Sequence, residues 1–291
     1  MVTKKKLLFI INPNSGKKDA SRVINTIPKY LDKDKFSYTF ELTEYAEHAI
    51  EITQKAVIDK VDVVVAVGGD GIVNEIFQAL VHTKTALAIL PKGSGNGIAR
   101  SLKIPMNTRK AIQKLNSASE KTIDTCLFND QPFLGVSGIG FDGLISSEFA
   151  KMKKRGLKTY VKLILLKMMN YKSQSYHFEV GDVSFSTKAF IVAFANTEQY
   201  GNNAIIAPKA KLDDGKIDLV IFKDFSKWLI PLIALKVMTK SIYNSKHIIN
   251  HTASLVKVST SAKEAHLDGE PIVANQNNTI KVVPNSLDVF V

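Results

Sequence analysis

Residues 62–75 read Asp62-Val63-Val64-Val65-Ala66-Val67-Gly68-Gly69-Asp70-Gly71-Ile72-Val73-Asn74-Glu75. Five apolar residues in succession, four of them β-branched, suit a strand covered on both faces, as central strands of a parallel sheet are. The glycines then free the backbone of side-chain bulk, and the pattern turns helical. A strand that ends in glycines and feeds a helix offers unpaired N–H groups at the positive end of a helix dipole, which favours an anion such as phosphate. Asp70 adds a carboxylate, useful there only if a metal or a proton transfer is involved. An ordinary strand-to-helix turn shares this pattern, so the stretch needs support from the rest of the chain.

Outward from it, the first 128 residues keep one rhythm. Strand-like runs at Leu7–Ile11, Tyr38–Leu42, Val61–Val67, Ala86–Leu90 and Thr122–Cys126 alternate with helical stretches at Asp19–Leu31, Ala46–Lys60, Ile72–His82 and Thr108–Asn116. That is a βαβ succession, hence an α/β domain on an open parallel sheet. From residue 129 to 291 short strands dominate: Phe133–Ser137, Tyr176–Val180, Ala189–Ala195, Lys216–Phe222, Leu255–Ser259 and Ile280–Val283. Turn signals at Gly181-Asp182, Asp214-Gly215 and Asp268-Gly269, with helix-like pieces at Phe141–Tyr171 and Ser226–Tyr243, predict a mainly antiparallel second domain. The last residues are candidates to return to the first domain.

Two more loops could hold phosphate. Leu90-Pro91-Lys92-Gly93-Ser94-Gly95-Asn96-Gly97 also follows a strand, and ligands of open α/β sheets bind at the carboxyl ends of strands. Asn12-Pro13-Asn14-Ser15-Gly16-Lys17 ends the first strand with a hydroxyl, an amine and turn amides. No G-x-x-x-x-G-K-[ST] occurs, which excludes a P-loop NTPase. A literal G-x-G-x-x-G at Gly138–Gly143 lacks the acid a dinucleotide site wants about 20 residues on, and reads as a structural turn.

Near the other end, His266-Leu267-Asp268-Gly269-Glu270-Pro271 sets two acids about a glycine. Asp268 could take a hydroxyl proton in phosphoryl transfer and Glu270 could steer metal or nucleotide; Asp-Gly is equally a common hairpin turn. The six histidines show no ligand spacing, and His266 reads as a surface residue. Cys126, the one cysteine, excludes a disulfide framework and a Cys-cluster zinc site. The apolar runs are too short for a signal peptide or a spanning helix, so the sequence predicts a soluble, cytoplasmic protein.

Together these segments resemble the diacylglycerol kinase catalytic-domain family, above all its soluble bacterial lipid kinases. That family includes sphingosine and ceramide kinases and shares a nucleotide-binding architecture with NAD kinase and 6-phosphofructokinase. The matching residues, in order, are Asn12-Pro13-x-Ser15-Gly16, Thr43, Gly68-Gly69-Asp70-Gly71-x-x-Asn74-Glu75, Leu90-Pro91-x-Gly93-Ser94-x-Asn96, Asp214-Gly215-Lys216-Ile217-Asp218 and Leu267-Asp268-Gly269-Glu270.

The resemblance implies ATP held between the two domains, its contacts drawn from Asn12, Thr43, Gly68, Gly69, Asp70, Gly71, Ile72, Val73, Asn74 and Ser94. It implies Asp268 as proton acceptor, Glu270 as an active-site carboxylate, and a structural Mg²⁺ on Lys211, Asp214 and Lys216, oxygen ligands of the kind Mg²⁺ prefers. In sphingosine kinases and NAD kinase the residue matching Asp70 has the base role instead, and the sequence leaves both open. Ile72 stands where the family has Thr, and Gly93-Ser94-Gly95-Asn96 is closer to the sphingosine-type loop. The implied activity is transfer of a γ-phosphoryl group to a primary hydroxyl of diacylglycerol or a sphingoid-like lipid, a step of phospholipid metabolism. A kinase of a soluble acceptor and an inactive nucleotide- or lipid-binding regulator are the alternatives.

The net charge of +12, from 39 Lys+Arg against 27 Asp+Glu, asks for an anionic partner. Lys151, Lys153, Lys154, Arg155, Lys158, Lys162, Lys167 and Lys172 lie in one acid-free stretch whose apolar partners predict an amphipathic basic helix. Given a lipid substrate, it predicts peripheral docking on an anionic membrane surface. Nucleic acid is not expected, for want of interleaved aromatics and known modules. A homo-oligomer is left open.

Overall fold

The computed structural model describes residues 4–15, 20–152, 157–229 and 245–291, with residues 232, 233, 236, 239 and 242. In chain order the first elements are β1 (Lys5–Ile11), α1 (Ala20–Tyr30), β2 (Phe36–Leu42), α2 (His48–Ile58), β3 (Val63–Gly68), α3 (Asp70–Leu80), β4 (Ala86–Pro91), α4 (Gly97–Ser101), α5 (Thr108–Leu115) and β5 (Glu120–Phe128). Then follow β6 (Gln131–Phe133), β7 (Val136–Gly140), α6 (Phe141–Ala150), α7 (Leu157–Met168), β8 (Gln174–Val180), β9 (Val183–Ala195) and β10 (Ile217–Lys223). The last are β11 (Ile248–Ala253), β12 (Leu255–Thr260), β13 (Glu264–Leu267), β14 (Glu270–Val273) and β15 (Asn277–Phe290). They form two compact units: unit 1 holds residues 1–124 and 285–291, unit 2 residues 125–284.

Unit 1 is an α/β layer on a parallel run β2-β1-β3-β4. β3 is buried along its whole length, as its unbroken apolar run requires, with parallel partners on both sides. Residues 285–291 complete the sheet. Val289 pairs parallel with Leu87 of β4, while Ser119 and Val291 exchange N–H···O bonds of 3.0 Å. Asp124 Oδ1 accepts the Asn285 N–H at 2.8 Å. The expected strands and helices of this unit all form; α4, only five residues long, has no period to read.

Unit 2 is antiparallel in every pairing the structure gives it. β9 organises it: its first half closes a hairpin with β8 through Gly181-Asp182, and its second half lies between β7 and β10. Phe128, Phe133, Tyr176, Phe178 and Phe194 fill the core beneath. β11, β13 and β14 were not expected from the sequence.

Two expected elements need correction, and a third lies mostly outside the described residues. The strand predicted at Phe133–Ser137 is two strands parted by Leu134-Gly135, because side chains capture that backbone. The N–H groups of Leu134, Gly135 and Val136 donate to the Asp268 carboxylate, and the Leu134 carbonyl accepts from Asn196 Nδ2. The helix predicted over Phe141–Tyr171 is α6 and α7; Lys153, Lys154 and Arg155 lie outside the described residues. Of the helix predicted at Ser226–Tyr243, a 3₁₀ turn at Lys227–Leu229 is described and most of the rest is not.

The Gly138–Gly143 motif is a strand-to-helix junction rather than a turn. Its glycines make room for the protein's own atoms: a Cβ on Gly138 would fall 2.0 Å from Asp142 Oδ2, and one on Gly143 2.4 Å from the Glu264 backbone. Gly140, at φ +112°, faces the hydroxyls of Tyr176 and Tyr171. That space is filled, which explains the motif without a nucleotide.

Candidate functional site

The three loops of unit 1 meet. Asn12 N–H donates to the Val67 carbonyl, bringing the first loop to the end of β3. A Cβ on Gly68 would lie 3.0 Å from Ser15 Oγ. The third loop touches the second backbone to backbone: Lys92 and Gly93 N–H both donate to the Gly68 carbonyl, and a Cβ on Gly93 would sit 2.5 Å from Gly69 Cα. Thr43, nearly buried, donates its N–H to Ile11 O and so joins the same strand ends. Gly16 and Lys17 of the first loop fall outside the described residues.

Asp70 opens α3 but points its carboxylate into the protein. Oδ2 accepts Asn96 N–H at 2.8 Å, and the N–H groups of Gly97 and Ile98 also face the carboxylate. It therefore sits at the start of α4, where the helix dipole and free amides favour a negative group. Burial pushes its carboxyl above the usual carboxylate range, against the opposing pull of those amides. Asn96, at φ +52°, braces the loop from within: Oδ1 accepts Gly93 N–H and Nδ2 donates to Gly93 O.

The remaining loop residues divide by what they touch. Ile72 is buried, its Cγ2 against the Gly68 Cα, so the missing hydroxyl of this position has become packing under the loop. Val73 is buried beside it, and Asn74 accepts from Gln78. Glu75 accepts the N–H of Ala49 in the first turn of α2, a capping role the motif did not reveal. Ser94 is exposed at the loop tip. Gly71 differs from its neighbours: beyond its own helix backbone and adjacent residues, no atom lies within 4 Å of where its Cβ would be. Glycine inside a helix costs about 1 kcal/mol relative to alanine, and nothing in the chain requires it here. Open space at the head of α3, where the helix dipole is positive, is what a phosphate would fill.

In unit 2, Asp268 and Gly269 are the two turn residues of the β13–β14 hairpin, both at positive φ (+50° and +91°), as a type I′ turn demands. The hairpin is real, and it also aims a carboxylate. Asp268 Oδ2 accepts Leu134 N–H at 2.8 Å, and Oδ1 accepts Gly135 and Val136 N–H at 2.7 and 3.1 Å. Burial raises its carboxyl above the usual range while the three amides pull it down. Glu270 is exposed at the start of β14.

His266 is not a surface residue. It is 2% exposed, takes Gly269 N–H on Nδ1 at 3.2 Å and meets Asp142 Oδ2 through Nε2 at 3.2 Å. Tyr200 hydroxyl donates to the same Asp142 oxygen at 2.9 Å, and burial beside Asp142 holds its pKa well above the usual phenol value. Ala265 and Leu267 are buried as well, so β13 is covered on both faces, and alternation along the strand gives no signal that the histidine lies inside.

The Lys211–Lys216 loop carries Asp214, exposed, with Oδ1 accepting Lys216 N–H at 3.1 Å and Gly215 at φ +68°. The donors named for it, the Asp214 carboxylate and the Lys211 and Lys216 carbonyls, are the hard oxygen type that suits Mg²⁺. Among the described residues no three His, Cys, Asp or Glu side chains gather as a metal cluster, so any ion here depends on those carbonyls. No helix among the described residues is long and apolar enough to cross a membrane.

Comparison with known proteins agrees with this layout. Residues 6–128 match the diacylglycerol kinase catalytic domain, and residues 135–291 match the YegS C-terminal NAD kinase beta sandwich-like domain. The Diacylglycerol kinase of Bacillus subtilis is 26% identical over 91% of this chain and 90% of its own. A "Probable lipid kinase YegS-like" of Pectobacterium atrosepticum is 29% identical over 96% of this chain and 94% of its own. The crystal structure of a diacylglycerol kinase from Bacillus anthracis shares the fold, with TM-score 0.75 at 20% identity, covering 99% of this chain and 97% of that one. The two domain matches follow one another along nearly the whole sequence, and the chain belongs to the diacylglycerol kinase and YegS-like lipid kinase family.

Proposed function

We propose that the protein is an ATP-dependent lipid kinase that transfers the γ-phosphoryl group to a primary hydroxyl of diacylglycerol or a sphingoid-like lipid. The observation that carries this reading is Gly71, an unfilled position at the head of α3, on the loop whose Gly68 and Gly69 pack backbone to backbone against Gly93 and beside Ser15. Amides of the Gly68–Asn74 loop take the phosphates, Ser94 adds a hydroxyl, and Asn12 and Thr43 border the nucleotide. Asp268 accepts the proton of the attacking hydroxyl. Its raised proton affinity suits a base better than an ordinary surface carboxylate would. Asp70, committed to the α4 amides, holds the two loops together. Glu270 is the exposed carboxylate next to the base. Asp214 with the carbonyls of Lys211 and Lys216 would hold Mg²⁺, which supplies positive charge to phosphate oxygens.

A lipid acceptor has to be met at its bilayer, and α7 offers the means. It buries Leu163 but leaves Leu165 54% and Leu166 62% exposed, with Val161 and Lys162 also outward and Lys172 exposed just beyond its end. Trp228 is 93% exposed. Apolar side chains among lysines suit an anionic membrane surface, and tryptophan favours the headgroup level.

The test is incubation with labelled ATP, Mg²⁺ and a panel of lipid alcohols in mixed micelles, followed by lipid extraction and mass analysis. A new phosphate ester on diacylglycerol or a sphingoid base is expected. Absence of a phospholipid product from the whole panel sinks the proposal.

A further inference from the structure

The polar chain behind Asp268 has no part in the reading above. It begins at Tyr200, whose hydroxyl donates to Asp142 Oδ2, passes to His266 Nε2, and ends where His266 Nδ1 accepts the N–H of Gly269. All of it lies in unit 2. Gly269 can donate only to an unprotonated Nδ1, so the ring proton is on Nε2 and is given to the Asp142 carboxylate. Both ring nitrogens are thus committed, on a side chain 2% exposed. Gly138 carries no Cβ, and that absence is what lets Asp142 stand here. A second bond fixes the same strand, from Ser137 Oγ to His266 O at 2.9 Å.

The end of the chain matters because of what it grips. Gly269 is the second residue of the turn whose first is Asp268, at φ +50°, a left-handed conformation that most L-residues avoid. A two-residue turn in which both φ angles are positive pivots as one piece. The Leu267–Glu270 pair closes the hairpin beneath it, and its own main-chain anchors are the Asp268 N–H on Val136 O and the Gly269 N–H on His266. Without the second, Asp268 keeps its side-chain bonds, but the Gly269 side of the turn is held by the ladder pair alone and can tilt them.

We propose that His266 is a positioning residue for Asp268, holding the Asp268-Gly269 turn through Nδ1 while Asp142 and Tyr200 fix its ring. The inference rests on the assignment of Asp268 as proton acceptor. Two substitutions separate the ends of the ring. In His266→Asn the amide oxygen stands near the Nδ1 position and keeps an acceptor for Gly269; in His266→Gln the amide reaches toward Asp142 and the Gly269 acceptor is lost.

The experiment measures exchange of the Gly269 amide by NMR and turnover on the lipid alcohol that gives product in the panel above. For His266→Gln the amide exchanges about tenfold faster or more, and kcat falls about tenfold at unchanged KM for ATP and lipid. His266→Asn stays within about threefold of the parent on both. Equal losses in the two variants, or wild-type behaviour of His266→Gln, overturn the positioning role. Should both variants fail to fold, Tyr200→Phe removes one bond from the chain with the ring retained. It is expected to speed Gly269 exchange about threefold, and unchanged exchange overturns the proposal. Asp268→Asn separates the two ideas. Wild-type kcat there removes the base assignment and the positioning role with it, whereas an inactive Asp268→Asn beside a fully active His266→Gln removes the positioning role alone.

Discussion

The N–H of Asn96 donates to Oδ2 of Asp70 at 2.8 Å, across 26 residues of sequence. One carboxylate thereby joins the head of α3 to the head of α4, and two glycine loops that each look generic become parts of one surface. Replacing Asp70 with alanine leaves buried amides without an acceptor, at a cost of about 1–3 kcal/mol. ATP affinity falls with stability. Urea unfolding and calorimetric titration with ATP·Mg²⁺ check both; unchanged ATP affinity in a destabilised variant would separate Asp70 from the nucleotide.

Gly71 and Gly93 behave oppositely on substitution. Gly93→Ala places a methyl 2.5 Å from Gly69 Cα and 2.8 Å from Asn96 Oδ1, so the loops must part, costing about 1–3 kcal/mol. Gly71→Ala meets nothing and should stabilise the fold by up to about 1 kcal/mol. Its methyl occupies the proposed phosphate approach, so ATP affinity drops about tenfold or more even as Tm rises. A Gly71→Ala protein that binds ATP normally would refute that placement.

Stability should depend on pH through Asp70 and Asp268. Burial raises both carboxyls, so the native state holds these protons more tightly than the unfolded chain does. Their contribution is complete below the ordinary value of 3.8 and is lost as pH rises through the raised native values. Urea midpoints of the parent, compared with Asp70→Asn and Asp268→Asn, should show the parent's relative stability declining as pH rises from that point. The opposite slope would mean that the amides outweigh burial. Turnover moves the other way, rising with pH as Asp268 loses its proton.

Glu75→Ala removes the acceptor for Ala49 N–H at the first turn of α2. A loss of about 1 kcal/mol is expected, read as a lower Tm, with ATP affinity within about twofold of the parent because Glu75 lies on the helix-packing side. A tenfold loss of affinity at constant Tm would give Glu75 a ligand role instead.

On α7, Leu165→Ser with Leu166→Ser touches side chains already more than half exposed. Stability should change by no more than about 0.5 kcal/mol per site. Partition onto vesicles containing phosphatidylglycerol should fall severalfold, as buried methylenes are lost from the bilayer side. Equal partition of the double variant would move the docking surface elsewhere.

Much of unit 1 was legible because β3 and β4 are solid apolar runs, β1 is nearly one, and the longer helices have a period. The glycine loops announced themselves by composition, but the reason for each glycine did not. Gly93 yields to a neighbouring backbone and Gly71 to nothing, and only coordinates separate the two. In unit 2 the local pattern misled where side chains override the ladder. Leu134-Gly135 reads as strand, yet its amides belong to Asp268, 133 residues or more away. His266 escapes the local pattern for the same reason: its partner Asp142 lies 124 residues earlier, inside the Gly138–Gly143 motif. Long-range polar pairing leaves no local trace in a sequence, whereas periodicity does.

The return of residues 285–291 to the first sheet has a consequence for how the chain is made. A ribosome releases residues 1–124 early, but the strand that lies against β4 emerges only after all of unit 2 has been synthesised. Until then β4 presents a bare, apolar edge, the kind of template that recruits other nascent chains. Unit 1, made before unit 2, therefore closes after it, and a fragment ending near residue 128 would carry that open edge permanently.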